Sequence, residues 1–216
     1  YSFDKMKFRP KYLTNSDIQA DKIYSLPEFQ CPDPEILQQV SERELRSISS
    51  LTAPNEVLGI FKIPETKPVL KKGLAIALDD LNDPGNLGTI IRLCDWFDIP
   101  QILCSRNTVD CYNPKVVQSS MGSLARVQIN YLDLAEHLKN ENRTIYGTFM
   151  EGESLYRTSF EEHGILVMGN EANGVSDEIR SLVDKEVGIP QFGSQQKAES
   201  LNVAMATAIF LSEMRR

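Results

Sequence analysis

The chain has 216 residues, 41% of them hydrophobic and 25% charged, with 11 prolines and a net charge of −7. That is enough chain for one large or two small soluble domains, and no apolar run approaches the roughly 20 residues that a membrane-spanning helix needs. The acidic excess argues against a protein coated in nucleic acid, which needs local lysine and arginine to meet phosphates.

The four cysteines, Cys31, Cys94, Cys104 and Cys111, lack zinc-type pairing, so no metal is expected. Without a signal pattern at the start, a cytoplasmic location is the simplest expectation. Since the first residue is Tyr1, the chain is expected to begin partway through a longer protein. Two short basic stretches depart from the net charge: Lys5, Lys7, Arg9 and Lys11, interleaved with Phe8 and Tyr12, and Lys67, Lys71 and Lys72. Each reads first as solvated surface.

Prolines 10, 27, 32, 34, 54, 64 and 68 break residues 1–72 into short pieces. The spacing of Ile36, Leu37, Val40, Leu45 and Ile48 predicts a helix over 34–50, and a strand is predicted over 57–63. The region reads as the later part of a small α/β domain, with 64–73 as its linker. From Gly73 the texture changes. Strands predicted at 74–78, 101–104, 127–129, 144–149, 165–169 and 186–189 alternate with helices beginning near Asn86 and covering 115–120 and 132–140. An Ala-rich helix closes the chain at 201–214. This alternation predicts an α/β fold with a mostly parallel sheet and helices on both faces.

The most informative stretch is 78–99, a strand, a turn through Asn82-Asp83-Pro84-Gly85-Asn86, and a helix carrying Leu87, Ile90, Ile91 and Leu93. Such a turn lies at the carboxyl end of a strand, where open α/β sheets bind ligands. Asn86 is expected to cap the helix, and Arg92 lies six residues further along it. A capped βα unit with one solvent-facing arginine is the plain alternative. There is no Gly-x-Gly-x-x-Gly opening the helix and no Walker-type Gly-Lys-Ser/Thr, which disfavours ordinary dinucleotide and nucleoside-triphosphate sites. Parallel strands would bring two later loops to the same edge: Gly169-Asn170-Glu171-Ala172-Asn173-Gly174, and Ile189-Pro190 leading to Ser200-Leu201-Asn202. Each has a helix-capping explanation of its own, Ser200 above all.

Together, Asn-x-Gly-x-x-x-Arg, Gly-Asn-Glu-x-x-Gly and Ile-Pro followed by Ser-Leu-Asn-Val-Ala resemble the three motifs of the SpoU (TrmH-type) RNA ribose 2′-O-methyltransferases of the SPOUT superfamily. The resemblance covers about residues 73–216, including Ser-Met-Gly-Ser-Leu at 120–124. It implies a knotted methyltransferase domain over 73–216, with a C-terminal trefoil knot that holds S-adenosylmethionine, preceded over 1–72 by a partial RNA-binding α/β domain and linker. It also implies a homodimer, with the Ala-rich helix allowing close approach. Thr148, Gly169, Ile189 and Leu201 match cofactor-binding positions. Asn86, Arg92, Glu171, Ser200 and Asn202 match the catalytic set. Two departures stand out: Gln118 occupies a place where relatives carry an RNA-contacting arginine, and the interval 189–201 is longer than in close relatives.

The implied reaction is in-line methyl transfer from S-adenosylmethionine to a ribose 2′-hydroxyl, on ribosomal rather than transfer RNA. Family thinking makes the arginine a base, yet a guanidinium with a pKa above about 12 almost never loses its proton in a protein. Arg92 is therefore expected to clamp phosphate and stabilise the nascent alkoxide. The alternatives are a non-catalytic RNA-binding assembly factor with the same fold, a transfer-RNA ribose methyltransferase, and an α/β enzyme for a small phosphorylated metabolite.

Overall fold

The computed structural model describes residues 2–3, 18–29, 31, 33–49, 51, 53, 55–193 and 200–216, which form two sheets. The smaller one comprises β1 (Ser2–Phe3), β2 (Ala20–Ser25), β3 (Leu37–Gln39) and β4 (Val57–Phe61), in the order β1-β4-β2-β3, with β2 and β3 parallel and the other pairs antiparallel. The predicted helix over 34–50 is corrected here. Its first half is β3, because the Ile36 carbonyl accepts from the Ile23 N–H and the Val40 N–H donates to the Ser25 carbonyl. Only α1 (Glu42–Ile48) is helical. It starts at a capping box in which Ser41 accepts from the Glu44 N–H and the Glu44 carboxylate accepts from the Ser41 N–H and hydroxyl. The predicted strand over 57–63 ends at Phe61, and β2 was not foreseen. The basic stretch Lys5, Lys7, Arg9 and Lys11 lies outside the described residues.

Residues 62–73 form no regular structure. They are nonetheless tied to the larger sheet. The fully buried Gln101 side chain exchanges two hydrogen bonds with the Leu70 backbone, and Gln128 and Asn130 donate to the Lys67 carbonyl.

The larger sheet contains β5 (Leu74–Leu78), β6 (Gln101–Ser105), β7 (Gln128–Leu132), β8 (Thr144–Ser154), β9 (Gly164–Met168) and β10 (Lys185–Gly188). Their order is β10-β8-β9-β5-β6-β7, and every pairing is parallel. The central strands β5, β6 and β9 are buried along their whole length, as strands covered on both faces must be.

Alternate residues separate the two cores. On one face Leu74, Ile76 and Leu78 pack with α2 (Pro84–Trp96), α3 (Pro114–Ser119) and α6 (Val203–Met214), through Ile90, Ile91, Val116, Phe210 and Leu211. On the other, Ala75 and Ala77 pack with α4 (Leu134–Lys139) and α5 (Asp177–Arg180), through Leu134, Leu138 and Ile179. Each fully buried leucine or isoleucine contributes about 1.5–3 kcal/mol. Helices therefore lie on both faces, as the alternation predicts.

The α2–α6 pair fixes the site. Asn202, just before α6, bonds to Asn86 in the first turn of α2, while Arg215, just after α6, donates to the carbonyls of Phe97 and Asp98. The two helices thus run side by side in the same direction, with both N-termini at the C-terminal edge of the sheet. At the opposite flank the β8–β10 register jumps: Glu186 faces Gly147 but Val187 faces Glu153, so 148–152 leave the ladder. Glycine is required where these strands touch. A Cβ at Gly152 would lie 2.6 Å from the Val187 carbonyl carbon, and one at Gly188 would lie 2.5 Å from the Phe149 carbonyl oxygen. Among the described residues, no helix is long and apolar enough to cross a membrane.

Candidate active site

The loops after β5, β9 and β10 meet. The sequence expectation that Asn86 caps α2 is corrected, since the cap is Asp83, whose carboxylate accepts from the Asn86 N–H at 2.8 Å, with Pro84 following it in the first helical turn. This leaves the Asn86 side chain free to bridge. Its Nδ2 donates to Glu171 Oε1 at 3.0 Å, and its Oδ1 accepts from Asn202 Nδ2 at 2.9 Å. Asn202 is in turn the cap of α6, its Oδ1 accepting from the N–H groups of Ala204 and Met205. Ser200, the residue the sequence favoured as that cap, is exposed two positions earlier and does not cap the helix.

Glu171 accepts two further bonds, from the N–H groups of Asn82 and Asp83 at 3.4 and 3.2 Å. One carboxylate thus joins the turn before α2 to the glutamate loop, and one amide joins both to the start of α6. The loop that carries Glu171 is narrow: Asn170 and Gly174 exchange two backbone hydrogen bonds at 2.9 Å, and Gly174 has a φ of 69°. Gly169 sits beneath it with no room for a side chain, because a Cβ there would lie 2.1 Å from the Gly174 carbonyl carbon.

Arg92 is exposed, and its guanidinium makes no ion pair or hydrogen bond among the described residues. It shares an outward helix face with Thr89 and Trp96, the latter 83% exposed. The 120s loop is clamped beside this face by a bidentate Arg126–Asp95 pair that Ser123 joins through its hydroxyl. Burial alone would raise the Asp95 carboxyl, but the hydrogen bonds from Arg126 and Ser123 and the guanidinium charge outweigh it and hold the group below its ordinary value. Gln118 is exposed on α3.

The residues matched to cofactor binding surround the same edge. Thr148, within β8 where its register with β10 jumps, donates from Oγ1 to the Val167 carbonyl at 2.9 Å. Ile189 packs partly into the core, whereas Leu201 and Phe192 are 52% and 82% exposed. Apolar side chains standing open beside backbone polar groups and small residues fit an adenosine-like ligand, whose base needs apolar cover and whose polar edge needs a few fixed partners. Residues 194–199 of the last loop lie outside the described residues. The four cysteines are free thiols, and no cluster of metal-ligating side chains occurs among the described residues.

Sequence reasoning missed Asp83 and Asn170 as site builders. Asp-Pro before the helix was the available signal for the first. The second was visible only as the residue beside the glutamate.

The SpoU rRNA Methylase family profile matches residues 73–212. A 23S rRNA (guanosine(2553)-2′-O)-methyltransferase of Bacillus subtilis is 29% identical over 180 residues, 82% of this chain and 71% of that protein. The chain spans about two thirds of the length of such curated relatives. Two solved structures superpose over nearly the whole chain. One, from Porphyromonas gingivalis and assigned to the TrmH family of RNA methyltransferases, has a TM-score of 0.87 at 32% identity, covering 100% of this chain and 89% of that one. The other is the SpoU methyltransferase AviRb of Streptomyces viridochromogenes in complex with S-adenosylmethionine, with a TM-score of 0.79 at 25% identity, covering 99% and 89%. With its parallel α/β sheet and its three motif loops joined at one edge, the chain belongs to the SpoU family of RNA methyltransferases.

Proposed function

We propose that the protein transfers a methyl group from S-adenosylmethionine to a ribose 2′-hydroxyl of RNA, ribosomal in preference to transfer RNA. The observation that carries this reading is the hydrogen-bond chain Glu171–Asn86–Asn202, which joins the three motif segments, with Arg92 exposed further along the same helix as Asn86. When bound, S-adenosylmethionine supplies an electrophilic sulfonium methyl. Thr148, Gly169, Ile189 and Leu201 would hold it at the sheet edge.

This chain's residues do the positioning. Arg92 would clamp the phosphate next to the target ribose and stabilise the oxygen as its proton passes to solvent water and the methyl moves from sulfur to oxygen, breaking the S–C bond and leaving S-adenosylhomocysteine. Its own proton stays in place. Asn86, fixed between Glu171 and Asn202, keeps the first turn of α2 at a constant distance from the cofactor loop, and a hydroxyl held in line avoids the entropy of a bimolecular encounter. Glu171 anchors the turn by accepting its N–H groups. Ser200, exposed just before α6, contacts the substrate phosphate.

The same reading extends to the assembly. The region 73–216 is the methyltransferase domain, with the segment beyond β9 threaded as a trefoil knot. The sheet within 1–72 is an RNA-binding domain, and its presence favours ribosomal RNA. The protein acts in the cytoplasm as a homodimer, burying the outward face of α6, where Met205 is exposed.

Calorimetry with S-adenosylmethionine followed by transfer of labelled methyl to total RNA tests the proposal. Wild-type protein should bind and label. Arg92→Ala should bind within about threefold of wild type and leave RNA unlabelled. Cofactor binding without any label on RNA would favour the assembly-factor reading, and an active Arg92→Ala protein would remove Arg92 from the mechanism.

A further inference from the structure

Leu78 is followed by two aspartates that play different parts. Asp79 is buried, and its Oδ2 accepts from the Ser176 N–H at 2.7 Å, which holds the far end of the glutamate loop. Asp80 has a φ of 54°, a left-handed backbone that aspartate tolerates better than most residues. In that conformation its carbonyl accepts from Asn170 Nδ2 at 2.7 Å. The same Asn170 side chain accepts through Oδ1 from the N–H groups of Ala172 and Asn173, so one amide ties the backbone just after Glu171 to the loop after β5.

What keeps Asp80 in this conformation is the loop after β6. Its N–H donates to Ser105 Oγ at 2.9 Å, its Oδ1 accepts from the same hydroxyl at 2.5 Å, and its Oδ2 accepts from Asn107 Nδ2 at 3.1 Å. Thr108 adds a hydroxyl bond to the Leu78 carbonyl, and Val109 donates to the Leu81 carbonyl. The loop after β6 holds no residue of the catalytic set, yet it is stitched to the loop after β5 through the Asp80 side chain as well as through the Leu78 and Leu81 carbonyls.

We propose that Asp80 is a positioning residue for methyl transfer. Locked by Ser105 and Asn107, it aims its carbonyl at Asn170 and thereby sets where Glu171 presents its carboxylate to Asn86. This rests on the methyltransferase reading above, and Asp80 itself touches neither substrate nor cofactor.

Three variants test it. Asp80→Gly keeps the carbonyl and accepts the left-handed φ without strain, but loses the carboxylate bonds. Asn107→Ala leaves Asp80 intact and removes one of its anchors. Asp80→Asn keeps an acceptor for Ser105, and a flipped Asn107 amide restores the second bond. The proposal expects Asp80→Gly to lower kcat for RNA methylation about tenfold, with KM for S-adenosylmethionine within twofold of wild type and the protein still fully folded at the assay temperature. It expects Asn107→Ala to lower kcat about threefold, and Asp80→Asn to restore kcat to within threefold of wild type. Independently of activity, hydrogen exchange at the amides of Ala172 and Asn173 should quicken about tenfold in Asp80→Gly, while that in β9 stays unchanged. Wild-type kcat and exchange in Asp80→Gly overturn the proposal, as does a joint loss of kcat and Tm that Asp80→Asn fails to restore. If Asp80→Gly does not fold, Asn107→Ala with unchanged kcat overturns it. If wild-type protein methylates no RNA, the enzymatic reading fails, and the exchange measurement still decides whether Asp80 sets the loop.

Discussion

Replacing Asn86 with alanine separates what its side chain does from what its backbone does. The Asn86 N–H still caps onto Asp83, and the neighbouring core residue Leu87 is untouched. Two side-chain bonds are lost, one donated to the Glu171 carboxylate at 3.0 Å and one accepted from Asn202 at 2.9 Å. A neutral hydrogen bond contributes about 0.5–1.5 kcal/mol and one to a charged group about 1.5–3 kcal/mol. Both partners are exposed, so the pair together is worth about 2–3 kcal/mol. If that free energy holds the loops in reactive alignment, turnover falls about 30- to 150-fold, at 1.36 kcal/mol per factor of ten. Global stability should fall by no more than the same 2–3 kcal/mol, a shift of at most about 4–12 °C for a chain of this size. Steady-state methylation of RNA beside a thermal melt reads both quantities. A loss of turnover under about threefold would refute the reasoning, and so would a melt showing that the variant is largely unfolded at the assay temperature.

Other substitutions probe the supports. Gly169→Ala should lower Tm by several degrees and weaken S-adenosylmethionine binding, since the added Cβ meets Gly174 backbone at 2.1 Å and overpacking costs about 1–3 kcal/mol; an unchanged melt would contradict this. Asp95 has a folded pKa below its unfolded value, so its stabilisation is complete above the unfolded pKa of about 3.9 and is lost as pH falls through the lowered one. Because the pair is partly exposed, the effect is about 1 kcal/mol at most. Asp95→Asn should therefore be less stable than wild type at pH 7, with the gap closing below about pH 4; a gap that persists in acid would remove the ion pair as its cause. Ser41→Ala should cost about 1 kcal/mol through loss of the α1 cap, and denaturant titration should show it without any change in methylation rate.

The meeting of the Asn86, Glu171 and Asn202 loops was legible in the sequence, because strands alternating with helices leave little choice but a parallel sheet, and such a sheet sends its following loops to one edge. The details of who caps whom were not. Asp83 and Asn86 are both good caps, and only the structure shows that Pro84 takes the first turn and frees the Asn86 amide to bridge. Ser200 against Asn202 is the same ambiguity, resolved by where α6 begins. The spacing of Ile36, Leu37 and Val40 suits one helical face, but a three-residue strand beside β2 satisfies the same residues through tertiary pairing that no local pattern announces. Asp80 was unreadable for a different reason: its importance lies in a left-handed backbone and in Asn107 and Asn170, 27 and 90 residues away.

Nucleoside mass spectrometry of RNA treated with the purified protein and isotopically labelled S-adenosylmethionine tests the central claim most directly. The label should appear on a 2′-O-methylribose, and should vanish with Arg92→Ala. A label carried on a base instead of a ribose, or one that survives the loss of Arg92, would contradict the account.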